Sequence, residues 1–254
     1  HWPWFDTLRT LRQRFREDHL ALTAGSLTFT TLISLVPLVT VMLAVFTAFP
    51  MFGRFQVSVQ QYFVQALVPD HIARPVLQTL TQFAGKASKL GSVGLLLLGI
   101  TALALMLTID RTLNGIWRVP RPRPLAQRVL VYWAALTLGP LLLGVSLSLT
   151  SVAVSSSRGL VSALPGGLTL LIELLEFSLL AAGMALLFRF MPNTHVRWRH
   201  AWAGAVFVAL GFEVAKRALG WYVKSVPGYA MVYGAFATLP IFLLWIYLSW
   251  LIVL

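Results

Sequence analysis

The sequence predicts an all-α fold, a polytopic bundle of membrane helices forming a single domain over residues 1–254. Hydrophobic residues make up 58% of the chain and charged residues only 11%, and the mean hydropathy is +0.79. Six apolar stretches reach the roughly 20 residues that a helix needs to cross a bilayer. These stretches use most of the 254 residues, so we expect no separate soluble catalytic domain.

The six predicted transmembrane helices are joined by short connections, apart from a longer loop after the first. They are 22–49, 91–113, 129–155, 168–190, 201–223 and 231–254. The last stretch is still apolar at Leu254 and the chain opens on His1, so we expect native sequence beyond both ends. The first stretch is too long for the apolar core of a cleavable signal peptide.

Two regions outside these stretches have amphipathic helical periodicity. Residues 1–20 interleave apolar side chains with arginines, which predicts an interfacial helix on an anionic membrane surface. In the loop 54–89, apolar residues recur at helical spacing opposite glutamines on both sides of Pro69. We interpret this loop as two amphipathic helices at the outer end of the bundle, with a lid over a cavity as the alternative.

The basic residues predict the orientation of the chain. Twenty Lys and Arg stand against eight Asp and Glu, for a net charge of +12, and they gather before the first and after the second and fourth predicted helices. Because cytoplasmic loops are rich in Lys and Arg, we expect a multi-pass bacterial inner-membrane protein with both termini in the cytoplasm. Anionic lipid headgroups, and not nucleic acid, are the expected partners. The arginines expected to contact headgroups are Arg118, Arg121, Arg123, Arg197 and Arg199.

Four of the eight acidic residues lie in or beside apolar stretches, where a bare carboxylate is costly. Asp110 ends the second stretch, and we expect it to meet an arginine of the adjoining loop. Glu213 precedes Lys216 by three residues and Arg217 by four, which is the spacing for pairing within one helix. This group is therefore either a structural ion pair or part of a working site.

Glu173 and Glu176 lie on one side of the fourth predicted helix, and no base in their own helix compensates them before Arg189. With alternating topology, these two acids share the outer half of the bundle with the three charges of the fifth helix. Such a cluster can lock helices together, relay protons or bind a headgroup in a wet cavity.

Five features of the chain occur together in a known family. They are ALTAGSLTFTTLISLVPL at 21–38, LNGIWRV at 113–119, RFMPNTHVRWRHAWAG at 189–204, Glu213 with Lys216, and YGAFATLPIFLLWIYLSW at 233–250. In these features the chain resembles the YihY/BrkB family of bacterial inner-membrane proteins over nearly its whole length. The resemblance implies six membrane helices, a link by name to virulence, an old label of ribonuclease BN and no agreed activity. It supplies no catalytic residue and implies Asn114, Glu213, Lys216, Tyr233 and Pro240 as positions of interest.

The residues argue against a ribonuclease or any other enzyme. The HExxH, GxxxxGK[ST] and GxSxG motifs are absent, and there is no cysteine to ligate a metal. His195 and His200 have no carboxylate between them, so we expect no metal and no cofactor.

Two hypotheses from different classes stay open. One is a transporter or lipid-translocating protein with a charged cavity in the outer half of the bundle. The other is a non-catalytic membrane scaffold or assembly partner in envelope maintenance. A homo-oligomer or an envelope protein partner is compatible with both.

Overall fold

The computed structural model describes residues 3–48, 74–75, 78–79, 82, 91–121, 123–137, 167–225 and 238–254. All regular structure in these residues is helical, which confirms the predicted all-α class for this part of the chain. The helices are α1 Pro3–Glu17, α2 Leu20–Ala48, α3 Gly91–Ile116, α4 125–137, α5 Gly167–Phe190, α6 Trp198–Ser225 and α7 Thr238–Val253.

Two of these helices are long and apolar enough to cross a membrane. They contain the segments Leu20–Val41 in α2 and Ser92–Ile116 in α3. Helix α7 is equally apolar in character but has only 16 residues. The count of six transmembrane helices therefore stays a prediction. So does the amphipathic loop 54–89, where the few described residues are helical and exposed.

Helices α2 and α3 pack side by side in opposite directions. Leu27 near the start of α2 packs in one buried cluster with Leu113 near the end of α3. Val41 further along α2 packs with Ala102, which comes earlier in α3. This antiparallel arrangement is the one expected for consecutive membrane helices joined by a single loop.

Helix α7 lies between α2 and the hairpin made by α5 and α6. The Trp245 ring of α7 is buried and meets the Phe212 ring of α6 edge to face, with centroids 5.7 Å apart. A Cβ atom at Gly211 would lie 2.7 Å from Cγ2 of Ile252. The absence of a side chain at Gly211 therefore lets α6 and α7 approach closely, as small residues do between membrane helices.

One end of the bundle collects arginine side chains, and we call it the basic end. It contains the turns 117–124 and 191–197, the start of α2 and the end of α7. Glu17 Oε2 lies 3.6 Å from Arg118 Nη2, and Leu254 packs on the cluster that contains Leu27. The arginines there include Arg14, Arg118, Arg121, Arg123, Arg128, Arg189, Arg197 and Arg199.

Large apolar side chains cover the outward faces of the helices. Leu22, Leu96, Phe207, Val214 and Trp221 are each more than half exposed. Large apolar side chains exposed on several helices at once are unusual for a soluble monomer and are what lipid-facing helices present. The lengths of the helices, the composition of the chain and the exposed apolar side chains all indicate a bundle that is surrounded by lipid hydrocarbon.

Candidate functional site

Among the residues that the structure describes, the most buried charged groups lie at the basic end, between α3 and α4. Asp110 and Asn114 are in the last two turns of α3, and Arg128 is in the first turn of α4. Asp110 Oδ2 lies 3.4 Å from Arg128 Nη1, with side chains only 2% and 9% exposed. Arg128 is thus the arginine partner that the sequence led us to expect for Asp110. It lies just inside the next helix and not in the loop.

Asn114 connects this ion pair to the turn between α5 and α6. Its amide Nδ2 donates to the Asp110 carbonyl at 2.8 Å and to Asp110 Oδ1 at 2.7 Å. Its Oδ1 accepts from the backbone N–H of Asn193 at 2.8 Å. A buried amide that makes all these bonds fixes the end of α3 relative to a turn that is far away in sequence. The family resemblance implied Asn114 as a position of interest, and these hydrogen bonds give its side chain a structural role.

The backbone after α3 is set by a capping motif. Arg118 has a left-handed φ of 51°, Val119 N–H donates to the Asn114 carbonyl at 2.9 Å, and Arg118 N–H donates to the Gly115 carbonyl at 3.0 Å. This is the Schellman pattern of helix ends, with arginine where glycine is usual. The turn sends the chain back toward α4, where Arg128 Nε donates to the Arg123 carbonyl at 2.7 Å.

The turn 191–197 is held by side chains from both sides. Asn193 Nδ2 donates to the Arg121 carbonyl at 2.8 Å. Arg189 donates to the Val196 carbonyl and stacks 5.5 Å from the Trp198 ring centroid. The α5–α6 turn and the α3–α4 turn therefore form one hydrogen-bonded unit.

Asp110 Oδ2 and the Tyr132 hydroxyl are both buried in this unit, and neither makes a hydrogen bond of normal geometry, but the hydroxyl lies close enough to the Asp110 carboxylate to interact with it. Tyr132 is 1% exposed and has Asp110, Arg123 and Arg128 as its charged neighbours. Sequence reasoning did not single out Tyr132 or Asn193. The available signals were a tyrosine one turn after Arg128 and an asparagine directly after a proline in a tight turn.

The arginines predicted to contact headgroups fall into two groups. Arg118, Arg121, Arg197 and Arg199 are exposed, and Arg118 is also paired with Glu17. Arg123 is half-buried and donates to the Phe190 carbonyl at 3.2 and 3.3 Å, so its charge ties two loops together. Headgroup contact stays a prediction for the exposed four.

The second charged region lies in the hairpin of α5 and α6, away from the basic end. Lys216 Nζ lies 2.6 Å from Glu213 Oε1, with side chains 18% and 35% exposed. On the same helix Ala205 and Ala209 are fully buried. The small residues thus face the interior, while the ion pair lies at the edge of that face. Arg217 is exposed.

Glu173 of α5 is exposed and has no hydrogen bond or ion pair with another described residue, and Glu176 is half-buried. A rise of 1.5 Å per residue puts Glu173 and the Glu213–Lys216 pair both about 25 Å from the turn that joins their helices. Counted along the two helices, these charges therefore lie at about the same depth. The structure does not join Glu173 to Lys216 or Arg217.

The other predicted positions give less information. Pro240 is in the first turn of α7 and is half-buried, and Tyr233 lies outside the described residues. In the part of the chain that the structure describes, no three His, Asp or Glu side chains are grouped so as to hold a metal ion.

Comparison with known proteins matches nearly the whole chain to one family. The family model described as Virulence factor BrkB matches residues 11–254. No solved structure matches the chain.

The curated relatives are bacterial membrane proteins. A UPF0761 membrane protein of Methylibium petroleiphilum is 70% identical over 253 residues, which is 100% of this chain and 61% of the relative. One from Verminephrobacter eiseniae is 65% identical over 99% of this chain and 60% of its own length. One from Ralstonia nicotianae is 51% identical over 95% of this chain and 55% of its own length. The chain spans about three-fifths of the length of the first two, and none of these names states a catalytic activity.

Proposed function

The chain belongs to the virulence factor BrkB family and is an integral membrane protein, and on that premise we propose that it moves a lipid headgroup or a polar solute across the bacterial inner membrane. The basic end lies in the cytoplasm in this proposal, since cytoplasmic loops are rich in arginine. The charges of the α5–α6 hairpin then lie in the outer half of the bundle. The protein acts as a transporter or translocator and not as an enzyme.

The observation that carries this proposal is the group of charges at one depth of the hairpin. Glu173 is exposed there without a counterion among the described residues, and Glu213 and Lys216 keep 35% and 18% of their side chains exposed. Charged groups within a membrane helix face the bundle interior or a water-filled cavity and mark ion or substrate paths. We therefore place a wet path along this side of α5 and α6.

The spacing of the charges on α6 suits a moving ligand. Glu213 reaches Lys216 three residues later and has Arg217 four residues later, so it has two bases within one turn. A passing phosphate can take one of these bases while Glu213 keeps the other. Glu173 on α5 offers a position for the cationic part of a zwitterion or for a proton.

Lipid movement in reconstituted vesicles tests the proposal. The chain is placed in vesicles of phosphatidylethanolamine and phosphatidylglycerol, and quenching of a fluorescent lipid reports movement between leaflets. We expect the double variant Glu173→Gln with Glu176→Gln to slow movement at least about tenfold, which corresponds to about 1.4 kcal/mol of lost charge-assisted binding.

Glu17→Gln is the matched control for this experiment, because it makes the same chemical change on α1, outside the hairpin. It should leave movement unchanged. If the double variant folds normally and moves lipid as fast as the unchanged chain, the hairpin acids have no part in the path.

A scaffold in envelope maintenance is the second candidate, and the Glu213–Lys216 distance of 2.6 Å favours it. A pair that is already satisfied needs no ligand, and it can simply neutralise two charges within α6. In that case Glu213→Gln lowers stability. Lipid then moves between leaflets no faster in vesicles that contain the unchanged chain or any variant than in protein-free vesicles. Membrane lipids are partners in both proposals, and a homo-oligomer or an envelope protein is a further proposed partner.

A further inference from the structure

One side of α6 presents large apolar side chains to the bilayer, and an arginine lies among them. Leu210, Val214 and Trp221 are each more than half exposed. At about 100° per residue, Arg217 lies within about 60° of all three around the helix, so it shares their face. The Arg217 side chain is itself exposed. Because arginine keeps its charge at any physiological pH, this cation requires water or an anion at the surface of the bundle.

In the part of the chain that the structure describes, no acid neutralises Arg217. Glu213 is the nearest acid along the helix, and its Oε1 lies 2.6 Å from Lys216 Nζ. Arg217 makes no hydrogen bond or ion pair with another described residue. Its five N–H groups therefore stay available to an anion from outside the bundle.

Tryptophans indicate the depth of Arg217 in the bilayer. Trp202 near the start of α6 and Trp221 near its end are both exposed. At 1.5 Å per residue they lie about 28 Å apart, close to the roughly 30 Å of hydrocarbon in a bilayer. Tryptophan prefers the boundary between hydrocarbon and headgroups. Arg217 lies about 6 Å inside Trp221 along the helix, so its long side chain can reach the phosphates of that leaflet.

The charges of α6 lead from this lipid-facing side toward the interior. Glu213 is about 40° around the helix from Arg217, and Lys216 is about 100° around in the same direction. Lys216 is less exposed than Glu213. It lies within about 20° of Ala205 and Ala209 around the helix, and both alanines are fully buried. A phosphate at Arg217 therefore has a second cation further in, with the Glu213 carboxylate between the two.

We propose that Arg217 binds the phosphate of a membrane phospholipid that approaches α6 from the bilayer. This inference rests on the proposed function and deepens it, because it names a phospholipid, and not a dissolved solute, as the substrate. The guanidinium binds phosphate through paired, charge-assisted hydrogen bonds. Leu210 and Val214 lie deeper on the same exposed face, where the acyl chains of that lipid lie. A dissolved phosphate ester makes the first contact and lacks the second.

Photolabelling in vesicles tests the site. Phosphatidylglycerol and diacylglycerol are compared, with identical acyl chains that carry a photoreactive diazirine next to the glycerol, and mass spectrometry maps the labelled peptides. We expect phosphatidylglycerol to label residues 210–221 at least about tenfold more than diacylglycerol does, the ratio for one charge-assisted hydrogen bond. Equal labelling of this segment by the two lipids overturns the proposal.

A pair of matched variants locates the site on α6. Arg217→Gln should lower the phosphatidylglycerol labelling of residues 210–221 to about the diacylglycerol level. The variant should fold normally, because Arg217 has no described partner to lose. Arg199→Gln makes the same change at the other end of the helix and should leave the labelling of this segment unchanged. A folded Arg217→Gln chain that is labelled as strongly as the unchanged chain contradicts the site.

Glycerol phosphate separates the two sources of the same chemistry, since it is a dissolved ester with the phosphate and without acyl chains. It is added on both sides of the vesicle membrane at millimolar concentration. Unchanged labelling of residues 210–221 supports a lipid that arrives through the bilayer. Loss of the labelling overturns the lipid assignment in favour of a dissolved ester.

Lipid movement in the same vesicles separates this inference from the proposed function. If labelling depends on Arg217 while the unchanged chain moves no lipid, the proposed function fails and the binding site stands. If the chain moves lipid while labelling is the same with and without Arg217, the binding site fails and the proposed function stands.

Discussion

The two charged regions of this protein differ in how their ion pairs are built. Asp110 and Arg128 are 3.4 Å apart, come from different helices and are almost fully buried. Glu213 and Lys216 are 2.6 Å apart, lie within one helix and stay partly exposed. The shorter pair is the less constrained one. The burial of an ion pair and the number of helices that it joins indicate, better than its distance does, whether the pair supports the fold or can exchange a partner for a ligand.

Breaking the buried pair should give the largest effect. Arg128→Gln leaves the Asp110 charge buried without a cation, which we expect to cost about 3–5 kcal/mol of unfolding free energy. Thermal unfolding in detergent measures the loss. Arg199→Gln, an exposed arginine of the same end, should change the free energy by no more than about 0.5 kcal/mol. Equal unfolding midpoints for both variants would mean that the pair does not hold the basic end together.

Removing the connecting amide should come next. Asn114→Ala deletes the side-chain bonds to Asp110 and to the Asn193 N–H and strands buried polar atoms, at about 2–3 kcal/mol. Asn193→Ala loses only the side-chain bond to the exposed Arg121 carbonyl and should cost about 1 kcal/mol. Chemical unfolding of both variants measures the difference. The reverse order would show that the turn 191–197 is held by something other than Asn114.

The contact between α6 and α7 allows a smaller test near the hairpin charges. Gly211→Ala places a methyl group 2.7 Å from Ile252 Cγ2 and should destabilise the bundle by about 1–3 kcal/mol. Gly183→Ala meets nothing within 4 Å and should be neutral or slightly stabilising, because alanine favours helix. If both variants change the thermal unfolding midpoint equally, Gly211 is not the point at which α6 and α7 approach closely.

The smallest stability change is expected at the exposed pair. Glu213→Gln and Lys216→Gln should each cost about 1 kcal/mol or less, since solvent screens a pair that is partly exposed. Thermal unfolding measures the stability, and lipid movement in vesicles, which we expect both variants to slow, measures the function. A loss of stability as large as that of Arg128→Gln would instead favour the scaffold hypothesis.

The fold class and the regions of helix could be predicted because apolar length and helical periodicity are local properties of the sequence. The ion pair of Glu213 with Lys216 could be predicted for the same reason, as its partners lie one turn apart. The sequence predicted that Asp110 pairs with an arginine. Which arginine it meets depends on how the turn after Arg118 leads the chain into α4.

The roles of Asn193 and Tyr132 could not be predicted from the sequence. Asn193 meets Asn114 across 79 positions of chain, and only packing of the two helix pairs brings them together. The Tyr132 side chain is buried on a helix whose neighbouring residues 131 and 133 are exposed, a distinction that composition alone does not reveal.

Water access at Glu173 tests the central claim most directly, and the absence of cysteine from the chain makes the measurement clean. Glu173→Cys gives a single thiol that a membrane-impermeant maleimide, added from the outer side, should label. Leu174→Cys, about 100° further round the helix at a 57% exposed apolar position, should face lipid and stay unlabelled. Labelling of Glu173→Cys alone is the predicted result. Equal labelling of the two positions, or none at Glu173→Cys in a folded protein, would contradict a wet path along this side of the hairpin.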